Sequence, residues 1–259
     1  MRTGISTVAI VTALLFWMPV SSEGATAWSQ LPSANPFDGY SYSSETGVET
    51  ASLVADNFTL ENDLPIAGVT WWGSYWDVTN HNEDLDPYPN SDNFGDPQGS
   101  IDTIEKFTIS FHEAGIGGPP WGHPSPPKEV LTFDFDDVNE RFAHEIVRSS
   151  KSQTVYQYYV DLDAPYGELV VGTTYWLSIQ ADNEGAEPVQ WGWQRAISEN
   201  YPNAVQDFPD VDKPYSWDLL DGTDMAFELE AVPIPSTLLL LGGGLVGLVG
   251  IRKRLKSRG

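Results

Sequence analysis

Residues 66–76, IAGVTWWGSYW, are the most β-prone run of the chain, with four aromatic residues among eleven. β-branched and aromatic side chains suit a pleated, packed surface, so a central strand is expected here. Along a strand Trp71 and Trp72 point to opposite faces, so a two-layered fold should place one of them in its core. Residues 104–112, IEKFTISFH, alternate Phe107, Ile109 and Phe111 against Lys106, Thr108, Ser110 and His112. That period of two marks a half-buried antiparallel strand. Seven more strands are expected at 53–60, 130–135, 141–148, 154–162, 173–181, 189–196 and 225–231. Residues 28–51, 77–102, 113–128 and 198–222 are rich in Pro, Gly, Ser or acidic residues and read as loops or irregular arms. No helical period of ten residues or more interrupts the series. Nine strands joined this way predict an all-β protein, a single jelly-roll-like β-sandwich over residues 28–231.

Composition removes several chemistries. The chain of 259 residues has no cysteine, which excludes thiol catalysis, disulfide frameworks and cysteine-ligated zinc. Its 37 Asp and Glu against 13 Lys and Arg give a formal charge of −24. Six of the 13 basic residues lie at the ends, and residues 28–231 hold 36 acidic against 7 basic side chains, a formal −29. Such a surface repels nucleic acid and anionic lipid, so no nucleic-acid partner is expected.

The two ends carry addresses. Arg2 precedes an apolar stretch at 8–20, and Ala25-Thr26-Ala27 provides small residues at the cleavage positions. Residues 1–27 therefore read as a secretory signal peptide, a substrate of the Sec translocon, cleaved after Ala27. Residues 232–259 read VPIPSTLLLLGGGLVGLVGIRKRLKSRG, of which 234–251 are 18 residues without a charge. As a helix they would rise about 27 Å, close to the thickness of a bilayer's apolar core. Arg252, Lys253 and Arg254 belong on the cytoplasmic side, leaving the body of the chain outside.

Val232, Pro233 and Pro235, then an apolar helix, then a basic tail resemble PEP-CTERM sorting signals, the substrates of bacterial exosortases. The name-giving motif has Glu between the prolines where this chain has Ile234. The resemblance implies export, a transient inner-membrane anchor through a C-terminal transmembrane helix, and release by an exosortase-like enzyme to the cell surface or extracellular matrix, commonly in bacteria that make exopolysaccharide. A second resemblance rests on residues 54–58 (VADNF), 66–75 and 106–111 (KFTISF), which look like an uncharacterised domain of secreted bacterial proteins. It implies an all-β fold and carries no catalytic residues.

Candidate binding residues follow from the side chains. Ca²⁺ takes six to eight oxygens from carboxylates and carbonyls, and Asp84 and Asp86, Asp134 and Asp136, and Asp221 and Asp224 lie in acidic clusters that could supply them. Exposed tryptophans stack on sugar faces, and Trp121, Trp191 and Trp193 are the rings selected for that role, with packing in a sandwich core as the competing reading. The four histidines show no clustered spacing and read as surface residues. No G-x-S-x-G elbow is present, and with so many acids a carboxylate pair has no diagnostic value. The sequence thus predicts a non-enzymatic, exported, acidic surface or matrix protein, adhesive or associated with exopolysaccharide through Ca²⁺. The alternative is a carbohydrate-binding module using its tryptophans.

Overall fold

The aromatic run 66–76 is the hub of the molecule. A computed structural model describes residues 25–33, 41–46, 51–77, 104–115, 123–148, 151–183, 189–197, 203–208 and 217–232. In it the run forms the 12-residue strand β5 (Ile66–Asp77). One side of β5 pairs with β9 (Lys151–Tyr166). Its other side is shared by β14 (Phe227–Ala231) and β11 (Val189–Gln194). β8 (Asn139–Arg148), β1 (Ala25–Gln30) and β2 (Ser41–Ser43) extend this seven-stranded sheet beyond β9, β14 and β11 respectively. Every side-chain position of β5 from Trp71 to Tyr75 is buried, as befits a strand with neighbours on both sides.

The second sheet also has seven strands. β13 (Asp218–Leu219), β12 (Val205–Asp207), β4 (Leu53–Thr59), β10 (Thr174–Asp182), β6 (Lys106–Glu113) and β7 (Glu129–Asp134) follow one another in space, and β3 (Glu45–Thr46) runs parallel to the end of β10. Within the two sheets the orders β2-β11-β5-β9 and β4-β10-β6-β7 stand out, because the chain alternates between layers as it builds them. The fold is an all-β sandwich of two sheets.

The core between the sheets takes the inward faces predicted by alternation. Val54 and Phe58 from β4, Phe107, Ile109 and Phe111 from β6, Val69, Trp71 and Tyr75 from β5, and Leu177 and Ile179 from β10 belong to one buried cluster. Burying a side chain of this size contributes roughly 1.5–3 kcal/mol, so this layer supplies the main driving force for folding.

Three expectations need correction. Residues 28–51 are not an irregular arm throughout: β1, β2 and β3 lie there or begin just before, and β12 and β13 lie in the stretch read as loop at 198–222. These strands have two to six residues, too few for a local period to announce them. Trp72 is buried as well as Trp71. It sits in a separate apolar cluster with Ile146, Val155, Ala196 and Ala226, so the sheet has apolar packing on both faces around β5.

The first and last strands are neighbours. Ala25 pairs with Ala231, and a register shift between Thr26 and Trp28 puts a bulge at Ala27. The two alanines proposed for signal cleavage thus lie in β1. Val232 donates its N–H to the Pro65 carbonyl at 2.9 Å. Pro233, Pro235, Arg252, Lys253 and Arg254 fall outside the described residues, among which no helix is long and apolar enough to cross a membrane.

Candidate functional site

Trp191 and Trp193 are fully buried, which removes them as glycan platforms. Strand β11 turns both rings into the interlayer core. Trp191 stands edge-on to Phe107 at 5.2 Å and to Tyr158 at 6.0 Å, and its indole N–H donates to the Tyr158 hydroxyl at 3.3 Å. The Trp193 indole donates to the Ala226 carbonyl at 2.8 Å. A ring packed on all sides has no face left for a sugar. Gly73 exists to admit this packing, since a Cβ there would lie 2.5 Å from the Trp191 ring. Trp121 lies outside the described residues.

The proposed calcium ligands that lie among the described residues do not assemble into a cluster. Among the described residues no group of three or more Asp, Glu or His side chains could hold a metal ion. Asp134 ends β7 and Asp136 lies in the following 3-10 turn, both exposed. Asp221 is exposed in a turn, whereas Asp224, three residues on, is fully buried. Asp84 and Asp86 lie outside the described residues. Acids close in sequence are separated here because turns and strand ends send their side chains in different directions.

Asp224 instead meets a carboxylate from across the sandwich. Asp56, on the core face of β4 between Val54 and Phe58, is buried and accepts the N–H groups of Asn57 at 2.8 Å and Met225 at 2.7 Å. Burial, and next the charge of Asp224, push the Asp56 carboxyl well above the usual carboxylate range, against the lowering effect of its two backbone donors. Two buried carboxyls that feel each other's charge cannot both ionise cheaply, so the proton on Asp56 is released at higher pH than from an exposed carboxyl. The arrangement ties β4 to the segment leading into β14 and so acts between the layers. Glu45 plays a similar part at the other end of β11, accepting the Trp191 N–H at 2.9 Å.

His112 is buried, contrary to its reading as a surface residue. Its Nδ1 is 2.8 Å from the Ser125 carbonyl, which can only accept, so Nδ1 carries the proton. Nε2, at 2.9 Å, then accepts from the Ser178 hydroxyl. Burial pulls the imidazole below its ordinary range, partly offset by the Ser125 carbonyl. A serine and a histidine in hydrogen-bonding contact resemble a nucleophile and its base. Both are 1% exposed, and the contact joins β10 to β6 and to the loop over them.

An accessible concave site lies at the β7 edge. β7 pairs only with β6 among the described strands, and its inward residues Glu129, Leu131 and Phe133 remain half-buried. Opposite them runs the end of β9 and its continuation, residues 162–168. Between the two lies an open groove of about 380 Å³. Leu131, Phe133, Leu162, Ala164 and Pro165 give it apolar walls, and Glu129, Asp163 and Glu168 bring carboxylates. Lys128 stands beside it, 3.3 Å from Glu113 and 3.7 Å from Glu168. Tyr166 also lines the groove, its ring stacked on Phe111 with centroids 4.9 Å apart. Its hydroxyl is buried and has no hydrogen-bond partner among the described residues. Burial raises the phenol's pKa, Lys128 opposes, and Glu168 and Glu129 raise it further. Sequence reasoning passed over this place. Its local signal is the strand expected at 130–135, where Leu131, Phe133 and Phe135 alternate with Val130, Thr132 and Asp134, a pattern that does not tell an edge strand from a central one.

Residues 26–230 match the family described as a domain of unknown function, DUF7901. The chain belongs to this family. No curated protein and no solved structure matches the chain significantly. The DUF7901 match runs from within β1 to within β14, the two strands whose pairing brings the ends of the sandwich together. The family unit is therefore the whole sandwich, groove included.

Proposed function

We propose that this DUF7901 protein is an exported, non-enzymatic binding protein that associates with exopolysaccharide at the cell surface or in the extracellular matrix. The observation that carries the reading is the solvent-open groove at the β7 edge, with apolar walls and carboxylates on a two-sheet scaffold. Ligand sites tend to be concave and largely apolar, with a few polar groups that fix orientation. The orders β2-β11-β5-β9 and β4-β10-β6-β7 support the finer reading of the sandwich as a jelly roll.

Export and sorting rest on the sequence: the signal peptide at 1–27, the Val-Pro-Ile-Pro motif, the apolar segment and the basic tail. The adjacency of Ala25 and Ala231 supports the same reading, since both hydrophobic ends leave the sandwich from neighbouring strands. Cleavage after Ala27 would remove the Ala25 and Thr26 partners of Ala231 and Glu230 and leave Trp28, Ser29 and Gln30 paired with β14. The exit borders the groove: Val232 bonds to Pro65, and a Cβ on Gly167 would lie 3.5 Å from the Pro65 ring.

Two measurements test the reading together. Cell fractionation with intact mass should find the protein in the matrix or surface fraction, shortened at both ends. Purified protein should co-sediment with polysaccharide extracted from the same cells. A chain still ending at Gly259 in the inner membrane would defeat the sorting part, and a failure to co-sediment would defeat the association.

A further inference from the structure

We propose that the groove between β7 and residues 162–168 is a glycan subsite that selects a polysaccharide segment carrying protonated amino groups. This rests on the reading of the protein as polysaccharide-associated and adds the place and the sign of the ligand's charge.

Charge decides among glycan classes. Glu129, Asp163 and Glu168 face the groove, and the nearby cation Lys128 is already shared between Glu113 and Glu168. The surrounding body carries a formal −29. A uronate or sulfated chain would enter against this field. Divalent ions could reverse the sign, but among the described residues no three acids are arranged to hold one. A neutral glycan gains nothing from the carboxylates beyond hydrogen bonds. An amine-bearing chain gains both hydrogen bonds and Coulomb attraction, and its approach is steered by the whole surface.

The rest of the groove suits a sugar ring. Phe133 is half-buried, with part of its ring packed on the core and part toward the groove, where it can meet the C–H face of a pyranose. The volume of about 380 Å³ falls at the lower end of the range of ligand clefts, suited to a short segment of a longer chain. A groove open along a strand edge lets the polymer continue at either end. At the wall, the Tyr166 hydroxyl is buried and lacks a hydrogen-bond partner among the described residues.

The test is calorimetric titration of the full-length chain, solubilised in mild detergent, with three probes: glucosamine oligomers, their N-acetylated counterparts, and glucuronate-containing oligomers. Glucosamine oligomers should bind best, more weakly as salt rises. The double variant Glu129→Gln, Asp163→Asn should weaken that binding about three- to tenfold and leave the N-acetylated probe unchanged, as expected for two partly exposed ion pairs. Phe133→Ala should weaken both. Equal or better binding of the N-acetylated or uronate probe overturns the charge assignment, and undiminished glucosamine binding in the double variant overturns the site. A lysine-rich peptide that displaces the oligomers at lower concentration would give the groove to a peptide strand instead. Co-sedimentation with native polysaccharide that persists in the double variant would leave the broader proposal intact while removing this one.

Discussion

Two parts of the interlayer use similar residues to opposite ends. Beneath β5 and β11, Trp71, Phe107, Tyr158 and Trp191 interlock with ring centroids 5.1–6.0 Å apart, and all four are fully buried. At the β7 edge, Leu131 and Phe133 also face inward, yet they stay half-buried, with a groove between them and residues 162–168, which stand opposite among the described residues. The difference is one of neighbours: β5 has strands on both sides and a full sheet across from it, whereas among the described strands β7 ends its sheet. Closure makes the first region the source of stability, and its lack leaves the second able to receive a ligand.

The comparison breaks most visibly at Trp191. Trp191→Ala should cost about 3–5 kcal/mol, because it opens a cavity that the surrounding rings cannot fill. Denaturant unfolding measures this, and a loss no greater than that of Phe133→Ala would mean the two regions do not differ as described. Gly73→Ala should follow at about 1–3 kcal/mol, the usual cost of overpacking a tight core. Its thermal midpoint should fall while Trp191→Ala, Gly73→Ala proves less than additive, since the double variant removes the ring that the new methyl strikes.

Next in size is the carboxyl pair. Asp56→Ala strips two backbone N–H groups of their acceptor, at about 1–3 kcal/mol for the groups left unpaired. The pH dependence has a definite sign. The folded pKa of Asp56 lies above its ordinary 3.8, so the folded state holds a proton that the unfolded chain releases. This contribution to stability is complete below about 3.8 and is lost as pH rises through the folded pKa. Asp56→Asn should flatten that part of the profile in thermal scans, and an unchanged slope would place the proton elsewhere.

At the edge the effects on stability shrink. Phe133→Ala should cost about 1 kcal/mol, typical of a substitution outside a closed core, while ligand binding falls. Smallest of all, Asp134→Asn and Asp136→Asn should change stability by less than about 0.5 kcal/mol, with or without added Ca²⁺. A Ca²⁺-dependent rise in the wild-type midpoint that these substitutions abolish would restore a metal site there.

Much of the sandwich could be read in advance because strand alternation is local. Phe107, Ile109 and Phe111 declared a buried face within nine residues, and the structure places all three in the core. All nine expected strands are present. β1, β2, β3, β12 and β13 were missed because they are short and polar: Ser41, for example, bonds to Ser74 and Gln194, residues of other strands. The site was less legible still. Trp191 and Trp193 have the same spacing whether they face sugar or core, and only the opposing layer settles which. Asp224 looked like a partner of Asp221, three positions earlier, while the carboxylate it faces, Asp56, is far away along the chain.

Sequence by itself determined the class of this protein: an acidic, cysteine-free, all-β body between two hydrophobic ends, with its core faces written in a period of two. Those properties depend on composition and on neighbours one to four residues apart, which the order of amino acids states directly. Tertiary structure alone decided that both Trp71 and Trp72 are buried, that Asp56 and Asp224 share an interior site, and that Phe133 and Tyr166 flank a groove. Each of these is a meeting of segments distant in sequence, and its outcome depends on which strands lie at the middle of a sheet and which at its edge.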